Sequence, residues 1–161
     1  MKSNVADSKI LILHDIRSAQ NVGALFRTAD AVRIDRIYLS SICPLPIDRF
    51  GRPRSDIAKT ALGAEKNIAW EAYTDITVLL QTLQNQGVHV IAIEQSPKSV
   101  DYKNVVVKTP VAFILGNEVE GVPREVLAQC DVVAEIPMEG SKESLNVSVA
   151  AGVALFRMLN I

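Results

Sequence analysis

The stretch ILILHDIRSAQNVGALFRTADAV, residues 10–32, decides the fold class. Its first four residues, Ile10-Leu11-Ile12-Leu13, form an apolar run bounded by His14 and Asp15. A run that short, without a polar face, reads as a strand buried on both sides. From about Gln20 to Val32 the period changes: Val22, Leu25, Phe26, Ala29 and Val32 recur at helical spacing and form one buried stripe. That stripe leaves Gly23, Arg27 and Asp30 on or near the other side of the helix.

Outward from this strand and helix the same alternation repeats. Ile37 to Leu39 reads as a strand, after which Pro44, Pro46, Gly51 and Pro53 break periodicity across a long basic loop. A short strand from Asn67 to Trp70 precedes a helix carrying Ile76, Val78, Leu79, Leu80 and Leu83, which Gly87 closes, and then a strand from Val88 to Ile93. Val111 to Leu115 is a further buried strand, Pro123 suits the first position of a short helix ending near Gln129, and Val132 to Ile136 completes a set of about six strands. Strands that alternate with helices imply an α/β fold with a mostly parallel sheet and helices on both faces, because parallel neighbours need crossover connections. No repeat or linker interrupts residues 1–161, so a single domain is expected, with no appended RNA-binding domain.

The last helix, from Ser144 to Asn160, is apolar on nearly every face and must be covered on most sides. A homodimer through this helix is expected, with Ala150, Ala151 and Gly152 permitting close approach.

The composition, 48% hydrophobic and 22% charged, excludes a disordered chain. No run of 18 apolar residues occurs, so a cytoplasmic protein is expected. Cys43 and Cys130 are isolated and read as free thiols, and no metal site is suggested. The net charge of −1 conceals an asymmetry: Arg27 to Lys66 holds eight basic and five acidic residues, whereas Asn67 onward holds six basic and eleven acidic. One part of the molecule could therefore meet a polyanion.

Standard nucleotide fingerprints are missing. No GxGxxG follows the first strand, which also counts against a flavodoxin-like nucleotide enzyme, and Gly116 to Gly121 lacks the Lys-Ser/Thr of a phosphate loop. His14 and His89 read as structural. Three segments that each follow a strand are dense in polar residues: Asn21 to Ala29, Ile114 to Gly121, and Ile136-Pro137-Met138 through Ser144-Leu145-Asn146-Val147-Ser148. Ligands of open α/β sheets bind at such positions.

Taken together and in this order, the three segments resemble the motifs of the SpoU, or TrmH-like, branch of the SPOUT family of RNA ribose 2′-O-methyltransferases. The resemblance spans essentially the whole chain. It implies a C-terminal trefoil knot and S-adenosylmethionine as cofactor, held by Leu115, Gly116, Ile136, Met138, Leu145 and Asn146. It also implies a catalytic set of Arg27, Asn21, Glu118, Ser144 and Asn146. Arg27 would assist deprotonation of the ribose hydroxyl or clamp a substrate phosphate, the second being the more natural use of a guanidinium whose pKa exceeds ~12. RNA would be bound by Arg49, Arg52, Arg54 and Lys59. Transfer RNA is favoured slightly over ribosomal RNA as substrate. The alternative is an idle RNA-binding module that retains the fold without turnover. Asn21 and Ser144 could each also cap a helix, Glu120 is left without a role, and Thr60 to Ala64 is read as loop shaping.

Overall fold

The computed structural model describes residues 7–161. Seven strands, β1 (Lys9–Leu13), β2 (Arg36–Ser40), β3 (Ala69–Tyr73), β4 (His89–Ile93), β5 (Val100–Asp101), β6 (Val111–Leu115) and β7 (Val132–Glu135), form one sheet in the order β3-β2-β1-β6-β4-β7-β5. Every neighbouring pair is parallel. Among the described residues six α-helices accompany them: α1 (Ala19–Ala31), α2 (Ser55–Ala61), α3 (Ala64–Asn67), α4 (Ile76–Asn85), α5 (Arg124–Leu127) and α6 (Val147–Met158).

The alternation of side chains along each strand builds two cores. Leu11, Leu13, Ile37, Ile91 and Phe113 point to one face, where they meet Val22, Leu25 and Phe26 of α1 and Ala151, Ala154 and Leu155 of α6. Ile10, Ile12, Val90, Ala112 and Ile114 point to the other and meet Leu80 and Leu83 of α4 and Val126 of α5. β1 and β6 are paired throughout, from Lys9 beside Val111 to Leu13 beside Leu115. From β1 the strand order runs one way to β2 and β3, and on the other side it jumps to β6. A crevice opens where strand order reverses in this manner, outside the carboxyl ends of the two strands.

Several expectations change. The strands number seven because β5, with two residues, is too short to carry a period. Asn67 ends the short helix α3, and the strand it was expected to begin runs instead over Ala69–Tyr73, mostly exposed at the sheet edge. After the proline-rich connection, which ends at Pro53, an additional short helix α2 occupies Ser55–Ala61, and Thr60 to Ala64 spans the turn from α2 into α3. Pro123 is the N-cap of α5 rather than its first residue.

The helix caps also move. Ser18 caps α1, its side chain accepting from the Asn21 backbone, and Asn146 rather than Ser144 caps α6. Ala151 is fully buried within the chain's own core, so it cannot supply the close approach expected of it. The residues of α6 left exposed are Val149, Val153, Phe156 and Arg157, spaced along one face.

Gly23 does not face water. A Cβ built there would collide with Thr60 Oγ1 and lie 2.5 Å from the Ile57 carbonyl oxygen, so the close approach at this glycine is that of α2 onto α1. Arg27, one turn later, is exposed as expected. His14 is buried, its Nδ1 2.7 Å from the Tyr73 hydroxyl, in keeping with a structural histidine. Both cysteines are free, and burial pushes the Cys43 thiol up and the Cys130 thiol up to about 12, which makes each unreactive. No helix is long and apolar enough to cross a membrane among the described residues.

Candidate active site

The loops after β1 and β6 meet in the crevice between those strands. Gly116 begins the second loop, and a Cβ there would collide with the backbone of Gly121 and Val122, so only glycine lets the chain fold back so tightly. The turn closes with the Gly121 amide donating to the Asn117 carbonyl at 2.9 Å. Asn117 is buried and pins the two loops together. Its Nδ2 donates to the Asp15 carbonyl at 2.8 Å, while its Oδ1 accepts from the amides of Val119 and Glu120 at 2.8 and 3.0 Å.

With the loop fixed, the Glu118 carboxylate reaches the N-terminus of α1. Oε1 accepts from Asn21 Nδ2 at 2.9 Å and from the Ser18 amide at 3.2 Å, and Oε2 accepts from the Arg17 amide at 3.2 Å. The first amides of a helix lack partners within the helix and favour an anion. Partial burial of Glu118 works to raise its pKa, but the Asn21 bond and the backbone amides outweigh it and hold the carboxyl below its ordinary value. Glu118 is therefore ionised at neutral pH.

Asn21 continues the chain of hydrogen bonds. Its Oδ1 accepts from Asn146 Nδ2 at 3.2 Å, and Asn146 Oδ1 accepts from the Ser148 amide and hydroxyl at 2.9 and 2.6 Å. Each partner fixes which end of the next amide carries the oxygen. One further N–H on each asparagine remains for a ligand. Glu118, Asn21 and Asn146 come from three separate segments and join the N-termini of α1 and α6.

Beside them lies a cleft of about 220 Å³. Leu115, Gly116, Ile136, Met138 and Leu145 line it together with Ser144 and Glu118. Five of the six expected cofactor residues thus share one cavity, and Asn146 adjoins it through Leu145 and Val147. The volume lies under the ~300–1,000 Å³ of typical small-molecule pockets, so a larger ligand extends into its open mouth.

Arg27 stands apart from this group. It lies six residues beyond Asn21 on α1, roughly 9 Å along the helix axis, and makes no hydrogen bond or ion pair among the described residues.

Two polar residues of the cleft, Glu94 and Gln95, lie outside the three polar segments of the sequence. Glu94 accepts from the Val122 amide at 3.0 Å and from the Gln95 amide at 2.8 Å, and Gln95 Nε2 donates to the Glu143 carbonyl at 2.6 Å. They follow β4 directly, and a polar pair closing an apolar strand was the available signal.

The expected RNA-binding residues lie on the β2–α2 connection and on α2, which leave the same end of the sheet. Arg52 pairs with Asp48 at 2.8 Å and Arg54 with Asp56, whereas Arg49 and Lys59 have no ion pair among the described residues. Hydrogen bonds within these pairs hold both Asp48 and Asp56 below the ordinary carboxylate range. No group of three or more His, Cys, Asp or Glu that could hold a metal ion occurs among the described residues.

Residues 8–156 match the model of the SpoU rRNA Methylase family. The chain is similar to the 23S rRNA (guanosine-2′-O-)-methyltransferase RlmB of Ralstonia nicotianae, at 36% identity over 91% of this chain and 56% of that protein. It thus spans little more than half the length of that relative. Among solved structures it resembles the TrmH/SpoU tRNA modifying enzyme of A. aeolicus, with a TM-score of 0.82, 27% identity, and coverage of 96% of this chain and 75% of that one. It also resembles an AdoMet-bound rRNA methyltransferase of Sinorhizobium meliloti, with a TM-score of 0.79, 25% identity, and coverage of 99% and 58%. The sheet, the meeting of the three polar segments in one crevice, and these likenesses agree: the chain belongs to the SpoU rRNA methylase family.

Proposed function

We propose that the protein transfers a methyl group from S-adenosylmethionine to a ribose 2′-hydroxyl of RNA. The observation that carries this reading is the hydrogen-bonded series Glu118–Asn21–Asn146 at the lip of a cleft that combines apolar walls with polar side chains. The cleft suits the cofactor in character: an adenosyl group has no pyrophosphate, and backbone edges at Gly116 with apolar walls at Leu115, Ile136, Met138 and Leu145 replace a glycine-rich phosphate loop. When bound, S-adenosylmethionine supplies a sulfonium-activated methyl carbon.

The chain's own residues then orient the acceptor. The free N–H groups of Asn21 and Asn146 place the ribose, and Ser144 offers a hydroxyl at the cleft wall. All the Glu118 bonds described are spent on Asn21 and two backbone amides, so it positions Asn21 rather than abstracting a proton. Arg27 takes the role natural to a guanidinium fork: it clamps a substrate phosphate and stabilises the alkoxide as it develops, the hydroxyl proton passing to solvent.

Ribosomal RNA replaces transfer RNA as the favoured substrate, since the Ralstonia relative carries a 23S rRNA name at 36% identity. The expected knot belongs to the same proposal, supported by the ties of Glu94 and Gln95 to the loops before α5 and α6. So does the homodimer: Val149, Val153 and Phe156 are 51%, 39% and 39% exposed at helical spacing on α6, an apolar stripe bordered by the exposed Arg157 and suited to a second copy.

The test is methyl transfer from labelled S-adenosylmethionine to unmodified ribosomal RNA, with nucleosides identified after digestion. A labelled 2′-O-methylnucleoside that disappears with Asn146→Ala supports the reading. Cofactor binding with label on a base nitrogen overturns it, and RNA binding without cofactor binding restores the idle module.

A further inference from the structure

Phe50 is used by neither the core nor the cleft, and its ring is 67% exposed. An ordered turn holds it there. Asp48 Oδ1 accepts from the Phe50 and Arg52 amides at 2.8 and 2.9 Å, the Gly51 amide donates to the Asp48 carbonyl at 2.9 Å, and Ile47 bridges Pro53.

Two cations attend the ring. The guanidinium carbon of Arg49 is 4.8 Å from its centroid and that of Arg52 is 5.0 Å away. Arg52 is anchored by Asp48, at 2.8 Å from Nε to Oδ2, whereas Arg49 has no ion pair among the described residues. A protein surface that covered Phe50 would have to desolvate both guanidinium groups. A nucleobase would not: its flat face stacks on the phenyl ring or on a guanidinium plane, and its phosphate stays within reach of Arg49. The connection after β2 leaves the same end of the parallel sheet as the loops after β1, β6 and β7.

We infer that Phe50, flanked by Arg49 and Arg52, is a stacking platform for an unpaired base of the RNA substrate, which makes the protein select single-stranded segments and sets where the strand enters relative to the cleft. This rests on the RNA-methylation reading, and Phe50 acts as a positioning residue, remote from the transferred methyl.

The experiment uses the whole chain and a short RNA carrying one 2-aminopurine, single-stranded or annealed to its complement. Wild type is expected to quench the 2-aminopurine and to bind the single strand more tightly than the duplex. Phe50→Ala should lose on the order of 10-fold in single-strand affinity with duplex affinity unchanged. Phe50→Trp should keep the affinity, and Phe50→Leu, which preserves apolar bulk without the ring, should fail like Phe50→Ala. On ribosomal RNA, Phe50→Ala should raise KM for RNA and leave kcat at saturation near wild type. Unchanged single-strand affinity in Phe50→Ala overturns the inference, as does full affinity in Phe50→Leu, which assigns the patch to apolar docking. Normal methyl transfer with Phe50→Ala indistinguishable from wild type sinks this inference alone; ring-dependent single-strand binding without any methyl transfer by wild type sinks the activity reading alone.

Discussion

Gly23→Ala separates two opposed effects by sign. Alanine in a helix interior is favoured over glycine by ~0.8–1.0 kcal/mol, so α1 taken alone predicts stabilisation. In the fold the new Cβ lies 2.5 Å from the Ile57 carbonyl oxygen, about 0.9 Å inside the 3.4 Å at which ordinary contact begins, and it collides with Thr60 Oγ1 as well. The threonine side chain can rotate away, but the Ile57 oxygen is backbone, so α2 has to shift as a unit. Overpacking of this kind costs ~1–3 kcal/mol, occasionally more. With a backbone oxygen as the obstacle the upper part of that range, ~2–3 kcal/mol, applies, and subtracting the ~0.8–1.0 kcal/mol gain leaves a net loss of about 1–2 kcal/mol, or roughly 2–8 °C in Tm at ~2–4 °C per kcal/mol for a chain this long. Thr60→Ala by itself removes bonds of 3.2 Å to the carbonyls of Gln20 and Ile57, at ~0.5–1.5 kcal/mol. Combined with Gly23→Ala it relieves one of the two collisions, so the double variant should be more stable than the sum of the singles implies. Thermal unfolding of the four proteins decides the matter. A Tm for Gly23→Ala equal to or above wild type would refute the close packing of α1 on α2.

Arg27→Ala should lower methyl transfer by ~10²–10³-fold, the usual cost of one donor to developing charge, while Tm stays within a degree because the guanidinium holds no partner here; a parallel fall in both would make it structural. Arg49→Ala should reduce the slope of log affinity against log salt by about 0.7–1, and Arg52→Ala by less, since Asp48 already neutralises it; equal slopes by fluorescence anisotropy would contradict that ranking. Because the folded Glu118 carboxyl lies below its ordinary 4.5, its stabilisation is present above that value and is lost as the pH falls through and below it. The Tm gap between wild type and Glu118→Gln should thus be flat near neutrality and shrink in acid, and a gap that widened in acid would reverse the assignment. On the proposed dimer, wild type should sediment as a dimer and Val153→Glu as a monomer, and a monomeric wild type would remove the α6 interface.

The strands most readily read from sequence are those buried on both faces, because they appear as unbroken apolar runs: Ile10 to Leu13, Val90 to Ile93 within the strand read from Val88, and Val111 to Leu115. Readability fails where burial falls. β3 lies at the edge and is mostly exposed, with only Tyr73 buried, and β5 has only two residues. α2 shows periodicity only through Ile57 and Ala61, too few to outweigh the prolines before it. Gly23 fails for a different reason. A glycine contributes no hydropathy, so a helical projection cannot distinguish a glycine facing water from one facing another helix 34 residues further along the chain.

The site divides along the same physical line. Its apolar wall, Leu115, Ile136 and Met138, sits at or just beyond strand ends that periodicity can find, and the resemblance supplies the polar identities. What neither provides is the connection between them. Asn117 reaches Asp15 across 102 residues, Asn21 reaches Glu118 across 97, and Asn146 reaches Asn21 across 125. Those pairs exist because β6 inserts beside β1 and reverses the strand order there. Strand order is a property of the whole sheet, and hydrophobic period, which reports only the burial of each segment, carries no record of it. Glu94 shows the consequence. By itself it is an acid after an apolar strand, and only the placement of β4 beside β6 turns it into the anchor of the Val122 amide and a wall of the cleft.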